Sequence, residues 1–236
     1  CNFSLITFFK FWHEEQRARE RTRELAMVQE ATIESMCSLT ETRDPETGEH
    51  IKRTQNYVRL LAEYMKNHVG FRALLDDETI DLLCKSAPLH DIGKVGVSDR
   101  ILLKPGKLTE QEFEEMKKHT IYGRDTILSA EKKLGEISFL RFAREIAYTH
   151  HERWDGSGYP EGLRGEQIPV PGRLMAVADT YDALTSKRVY KSQLSHEEAV
   201  KIIIESKGSQ FDPTVVDAFL AVKEDFRQIA LRYVDP

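Results

Sequence analysis

The sequence predicts an all-α fold. Three observations carry that expectation. Apolar residues recur at spacings of three, four and seven along most of the chain. Helix start signals stand at the heads of those stretches. Convincing period-two alternation, which a half-buried strand needs, is absent. The chain has 236 residues, 40% of them hydrophobic. That is enough to bury a real core, as one large helical domain or as one domain with an added element. No internal repeat or low-complexity tract interrupts it.

Taken in order, residues 3–12 (Phe-Ser-Leu-Ile-Thr-Phe-Phe-Lys-Phe-Trp) are strongly apolar but too few to cross a bilayer, which needs about 20. They read either as the cut end of a membrane helix followed by basic residues, or as the last element or docking surface of a soluble domain. The chain opens on Cys1 rather than Met, so a fragment of something longer is expected. From Glu14 to about Thr42 the sequence is highly charged and free of Gly and Pro. Ala18, Leu25, Val28, Thr32, Met36 and Leu39 form an imperfect heptad seam. This predicts a long signalling or coiled-coil helix that pairs with its twin in a homodimer; the alternative is a solvated helix packed on its own domain.

Asp44-Pro45 should break that helix. A second helix is expected from about Glu46 to His68, burying Ile51, Val58, Leu61 and Met65, and a third from Asp76 to Ser86, before Pro88. The stretch Ile92–Lys107 carries three glycines and Pro105 and reads as loop or short turns. Thr109-Glu110-Gln111-Glu112 is a capping box opening a helix that should carry Phe113, Met116 and His119. Leu140, Ala143 and Ala147 mark a helix ending at His150. A Gly/Pro-rich loop spans Asp155–Pro171, and an apolar helix runs from Arg173 to Thr185 with Leu174, Val177, Ala178 and Tyr181. Ser195 with Glu198 makes another capping box, and Asp212-Pro213 puts a cap before a proline at the first helical position. The expected division is a connecting helix over 1–42 and a domain over 43–236.

The formal net charge of −5 argues against a general binder of nucleic-acid polymers, though not against a small nucleotide held by a few local cations. Cys1, Cys37 and Cys84 are odd in number and far apart, so neither a disulfide framework nor a zinc knuckle is suggested. A reducing, cytoplasmic compartment fits them best, with a tether to the inner membrane through a preceding segment as one reading.

The chemistry gathers on histidines set among carboxylates. Five of the eight (His50, His90, His119, His150 and His151) fall in this pattern, which reads as a multi-metal hydrolytic centre. His90-Asp91 offers a nitrogen and an oxygen ligand side by side, and a carboxylate can bridge two ions about 3.5–4 Å apart, as hydrolysis by a metal pair requires. Alone, such a pair is often only a surface ion pair. Glu46 and His50 at i, i+4 share a helix face; a dipole-favoured Glu beside an exposed His is the plainer reading. His119 in a helix is usually a satisfied core residue. Asp179, in Ala-Val-Ala-Asp-Thr-Tyr-Asp-Ala-Leu, is a carboxylate on an apolar helix and needs a partner. Asp182, one turn later, could orient a ligand. Lys94, Arg188 and Lys191 could hold phosphate or be ordinary surface charge. His13, His68 and His196 read as surface residues.

Together these residues resemble the HD-GYP family, a branch of the HD-domain metal phosphohydrolases. The matching elements are Glu46 to His50 within Glu-Thr-Arg-Asp-Pro-Glu-Thr-Gly-Glu-His, His90-Asp91-Ile92-Gly93-Lys94, His119, His150-His151, Gly158-Tyr159-Pro160, Asp179 and the Arg188/Lys191 pair. The resemblance covers about residues 30–225. It implies an all-α HD-domain bundle that cleaves the bacterial second messenger cyclic di-GMP to linear pGpG and, in some members, GMP. The implied metal ligands are Glu46, His50, His90, Asp91, His119, His150, His151 and Asp179. Two or three divalent ions, iron or manganese, are implied, the third tied to Glu46. Lys94, Arg188 and Lys191 would hold the substrate phosphates. The Gly158-to-Pro160 loop would contact diguanylate cyclases.

The mechanism expected is in-line attack on phosphorus by a metal-bridging hydroxide, since metal binding lowers the pKa of water from ~15.7 toward ~7. No Ser or Cys sits beside a plausible base in these motifs, so no protein nucleophile is offered. Two rival readings stand beside it: an HD hydrolase of another nucleotide such as cyclic GMP-AMP, and a cyclic di-GMP receptor with little turnover.

Overall fold

The computed structural model describes residues 2–41, 48–134, 138–186 and 193–234, and among these the chain is helical, with two isolated bridges and no strand. It divides into two compact units, Cys1–Met36 and Cys37–Pro236. The first is the greater part of α1 (Asn2–Glu41). Its surface carries Phe8, Phe9, Phe11 and Trp12, and the seam positions Leu25 and Val28 are exposed as well. Among the described residues no helix is long and apolar enough to cross a membrane. The break expected at Asp44-Pro45 lies outside the described residues.

The second unit is a bundle of α2 (Gly48–Met65), α3 (Asp77–Ser86), α4 (Asp99–Leu102), α5 (Glu110–Lys117), α6 (His119–Leu134), α7 (Ser138–Thr149), α8 (Val170–Thr185), α9 (His196–Glu205) and α10 (Pro213–Arg232). The expected starts of α3, α5, α9 and α10 hold. Asp76, Thr109, Ser195 and Asp212 each accept a backbone N–H of the first turn through their side chains. Helix α8 begins three residues ahead of the expected Arg173. Pro171 sits in its first turn, where a missing N–H costs nothing. Helix α2 stops at Met65 instead of His68; the chain then winds through turns that bury Phe71 and Leu75.

The expected single helix through Phe113, Met116 and His119 is two. Helix α5 ends at Lys117 and α6 begins at His119. The Met116 carbonyl accepts the Lys118 N–H and also the His119 Nδ1–H, at 2.8 Å, so the imidazole takes an acceptor that a continuing helix would use. The loop expected over Ile92–Lys107 contains a 3₁₀ turn, Ile92–Gly96, and the single turn α4.

The core lies where α2, α8 and α10 meet. Tyr57, Tyr181, Phe219 and Phe226 are fully buried there, with Tyr57 stacked on Phe226 at 4.3 Å and Tyr181 edge-on to it at 5.2 Å. Such pairs add about 0.5–1.5 kcal/mol each beyond area burial. Tyr57 is seven residues after His50 on α2, and Tyr181 lies between Asp179 and Asp182 on α8. The aromatic core therefore fixes the stretches of α2 and α8 from which those polar groups project.

Candidate metal centre

His90 and Asp91 stand at the joint between two 3₁₀ turns, Ala87–Leu89 and Ile92–Gly96. Pro88 sits within the first and is compatible with it because the first turn needs no N–H. From this joint Asp91 faces two ways. Its Oδ2 lies 3.4 Å from His90 Nε2, while its Oδ1 lies 3.3 Å from His119 Nε2 and 3.6 Å from His150 Nε2. Two groups of ligand atoms result, each within 4.8 Å of one another: His50, His90 and Asp179 in one, and Asp91, His119, His150 and His151 in the other. They are drawn from α2, the His-Asp joint, the start of α6, the end of α7 and the middle of α8.

Four of the five histidines have their outer nitrogen tied back. His90 Nδ1 donates to Ala87 O at 3.0 Å, His119 Nδ1 to Met116 O at 2.8 Å, and His150 Nδ1 to Ile146 O at 3.0 Å. His50 Nδ1 lies 2.8 Å from Asp182 Oδ2. A carbonyl or carboxylate can only accept, so each Nδ1 carries the proton and each Nε2 turns its lone pair inward. His50 Nε2 and His90 Nε2 then face each other at 3.3 Å as two acceptors. Asp91 Oδ1, His119 Nε2 and His150 Nε2 are buried with no hydrogen-bond partner among the described residues. Buried acceptors converging without a donor are costly unless a cation lies among them, so this donor set fits metal ions.

The protonation of the cluster agrees. Burial lowers His119 to about 4 and holds His151 well below the usual imidazole range, so both rings are neutral, as ligands must be. Asp91 resists burial through the nearby Lys94 ammonium, whose Nζ is 2.7 Å from Oδ2, and through His90, and stays well below the carboxylate range. Burial opposes charge on His90, but the Asp91 carboxylate raises it on balance.

Asp182 has a supporting partner that sequence reading missed. Arg53 donates from Nε to Asp182 Oδ1 at 2.6 Å and from Nη2 to Oδ2 at 3.0 Å, while its Nη1 reaches Tyr233 O at 2.8 Å. Burial works against the Asp182 charge, yet His50 and Arg53 hold it at about 2. The signal was present: Arg53 stands three residues after His50, on a neighbouring position of the same helix face. Glu152 was missed too, although it follows the histidine pair directly. It is buried, and its carboxylate takes the Glu161 and Leu163 backbone N–H groups.

Lys94 lies at the rim of the cluster, paired with Asp91. Tyr159 lies against His151 and His119, with ring centroids at 4.8 and 6.4 Å. Glu46, Arg188 and Lys191 fall outside the described residues. His13 and His68 are exposed, as expected, but His196 is not a plain surface residue. Its ring packs on Tyr181 and its Nδ1 lies 2.8 Å from the tyrosine hydroxyl. The capping box of α9 sets it there, because Ser195 fixes the helix start beside α8.

Comparison with known proteins bears on the same residues. A family model described as HD domain matches residues 46–215. A cyclic di-GMP phosphodiesterase of Vibrio cholerae is 55% identical over 212 residues, 90% of this chain and 43% of that protein. One of Thermotoga maritima is 41% identical over 203 residues, 86% of this chain and 52% of that protein. A 3'3'-cGAMP-specific phosphodiesterase of Vibrio cholerae is 38% identical over 214 residues, 91% of this chain and 37% of that protein. The chain thus spans about half the length, or less, of these relatives. Among solved structures, Bd1817, a HDG"Y"P protein from Bdellovibrio bacteriovorus, shares the fold with a TM-score of 0.52 at 20% identity, over 76% of this chain and 54% of that one.

Proposed function

The chain belongs to the HD domain family, in its HD-GYP branch, and we propose that it hydrolyses cyclic di-GMP to linear pGpG with divalent metal ions held by its His/Asp cluster. The observation that carries the reading is Asp91, whose two oxygens each face a separate group of inward-turned imidazoles. That arrangement supports His50, His90, Asp91 and Asp179 as ligands on one side, and Asp91, His119, His150 and His151 on the other. Iron or manganese suits a mixed imidazole and carboxylate set.

When bound, ions in such a site supply an ionised water at neutral pH and neutralise charge on phosphoryl oxygens. The chain's own residues do the rest. The tied-back Nδ1 groups hold the imidazoles in one tautomer. Asp182, clamped by Arg53, does this for His50 through a carboxylate. Lys94 brings one ammonium to the rim, where it can turn from Asp91 toward a non-bridging phosphate oxygen. Arg188 and Lys191 are proposed as further phosphate holders. Homodimerisation through α1 is proposed from its exposed apolar residues, and contact with diguanylate cyclases through the Gly158-to-Pro160 loop.

The direct test is turnover of cyclic di-GMP by the anaerobically purified, metal-analysed protein, beside cyclic GMP-AMP. Preferential cleavage of cyclic di-GMP supports the reading. Cleavage of cyclic GMP-AMP alone transfers the chain to the substrate named for its 38% identical relative. Tight binding of cyclic di-GMP without turnover makes it a receptor.

Two substitutions divide the roles. Lys94→Ala is expected to keep the metal content and lower kcat about 10²–10³-fold, the worth of one positioned donor. Metal analysis that shows ions lost instead would make Lys94 a support for Asp91 rather than a phosphate group. Glu46→Gln is expected to lower occupancy by about one ion per chain, since a neutral amide is a poor ligand for a hard cation. Equal counts near two in both proteins would remove Glu46 from the proposed ligands.

A further inference from the structure

His151 differs from the other four histidines. Among the described residues its ring nitrogens make no hydrogen bond, whereas His50, His90, His119 and His150 are each fixed through Nδ1. A ligand ring with no such tie is free to turn about its side-chain bonds, and an orienting contact must come from elsewhere. It comes from aromatic packing. The Tyr159 ring lies 4.8 Å from the His151 ring, tilted by 32°, and the His150 ring lies 4.0 Å away on its own fixed geometry.

Tyr159 is itself held. Phe113 meets it edge-on at 6.1 Å, and the Lys117 ammonium lies over it at 5.5 Å. The loop that carries it folds back onto the chain just after His151. Tyr159 N donates to His151 O at 3.3 Å. Gly158 comes so close that a Cβ there would stand 2.3 Å from Arg153 N and 2.6 Å from Glu152 Cα. Glu152 closes the far side of the loop, accepting the Glu161 N–H at 2.8 Å through one oxygen and the Leu163 N–H at 3.0 Å through the other. The carboxylate is buried, and both its oxygens are engaged by the loop backbone.

We propose that Tyr159, clasped in place by Glu152, is the positioning residue for the His151 imidazole, acting through its ring plane instead of a hydrogen bond. This gives the Gly-Tyr-Pro stretch a physical task inside the site. Glycine permits the close return, tyrosine supplies the plate, and the buried glutamate locks the loop. The hydroxyl makes no hydrogen bond among the described residues, and the contact with His151 is ring to ring.

The inference rests on the metal-centre reading above, and the experiment separates the two. Manganese affinity is measured by chelator competition, with thermal melting in parallel, for the wild type and for Tyr159→Phe, Tyr159→Leu and Glu152→Gln. Tyr159→Phe keeps the plate and should keep the affinity. Tyr159→Leu keeps apolar bulk without a plate and should weaken the affinity of the His151-side ion about 10–100-fold, the usual effect of losing an orienting contact. Glu152→Gln, which turns one acceptor into a donor facing an N–H, should fall in between. A wild type that binds no manganese overturns the metal-centre reading and this inference with it. A wild type that binds it, with Tyr159→Leu equal in affinity but lower in melting temperature, overturns only the positioning role. Tyr159→Phe as weak as Tyr159→Leu would assign the effect to the hydroxyl and also overturn it.

Discussion

His90→Ala and Asp91→Ala are each expected to lower turnover of cyclic di-GMP about 10³-fold, the upper end of what one positioned electrostatic group is worth. Asp91→Ala should cost the more metal of the two. Its Oδ2 faces His90 and its Oδ1 faces His119 and His150, so one substitution opens both groups of ligand atoms. It also removes an anionic partner from the Lys94 ammonium, which sits 2.7 Å from Oδ2 with little exposure. Losing one side of a largely buried ion pair is costly, so some loss of stability is expected as well. His90→Ala touches only one group. Metal analysis should therefore show a partial loss for His90→Ala and a near-total loss for Asp91→Ala. Asp91→Asn separates charge from shape: the amide fills the same volume and leaves the imidazoles in place, but it cannot serve as an anionic ligand on both sides. Circular dichroism would establish that each variant is folded. Full metal occupancy with near-normal activity in Asp91→Asn would remove Asp91 from the centre, and the proposed chemistry would then need another anchor.

Part of the candidate cluster was legible because some of its members are neighbours in sequence. His90-Asp91 and His150-His151 are adjacent pairs, and an adjacent pair of ligand types is informative before any fold is known. Asp179 was legible for a different reason: a carboxylate in an apolar helix needs a partner. The helix starts were legible from capping chemistry, which is a matter of three or four consecutive residues. What escaped depends on contacts distant in sequence. Nothing near Glu152 reveals that its carboxylate closes a loop nine and eleven residues ahead. Arg53 shares a helix face with His50, but its partner Asp182 is 129 residues away, and the packing of α2 on α8 brings the two together. The break between α5 and α6 escaped because the residue that causes it, His119, is tolerated inside helices. Its ring had to turn back on Met116 O for the break to form, and periodicity does not report a side chain's direction. His196 was misjudged for a related reason, since its neighbour Tyr181 is 15 residues back on another helix.

Among the described glycines, Gly93→Ala is expected to be the most damaging single-methyl change. Gly93 is buried in the 3₁₀ turn just after Asp91. A Cβ there would lie 1.9 Å from His119 O and 2.4 Å from Gly123 N, both backbone atoms of the first turns of α6. Flexible side chains can yield by rotating; a hydrogen-bonded helix backbone cannot. Relief would require the 3₁₀ turn and α6 to separate. Overpacking of this kind typically costs about 1–3 kcal/mol, and a clash with backbone on both sides belongs at or above the top of that range. The consequence for the site is direct. His119 is the first residue of α6, and its Nε2 stands 3.3 Å from Asp91 Oδ1. Moving α6 away from the His-Asp joint opens that distance, so the ion on the His119 side should be lost ahead of the one on the His50 side. Gly123→Ala is the control. Its Cβ would meet the Ala147 Cβ at 3.3 Å, a tight but movable contact, and alanine is favoured over glycine within a helix by about 0.8–1.0 kcal/mol. The two effects oppose, and Gly123→Ala should sit within about 1 kcal/mol of the wild type. Chemical denaturation of both variants, with metal counting on the folded fraction, tests the pair. If Gly93→Ala proved as stable and as fully metallated as Gly123→Ala, the backbone contact between the His-Asp turn and α6 would not be what sets the Asp91–His119 spacing.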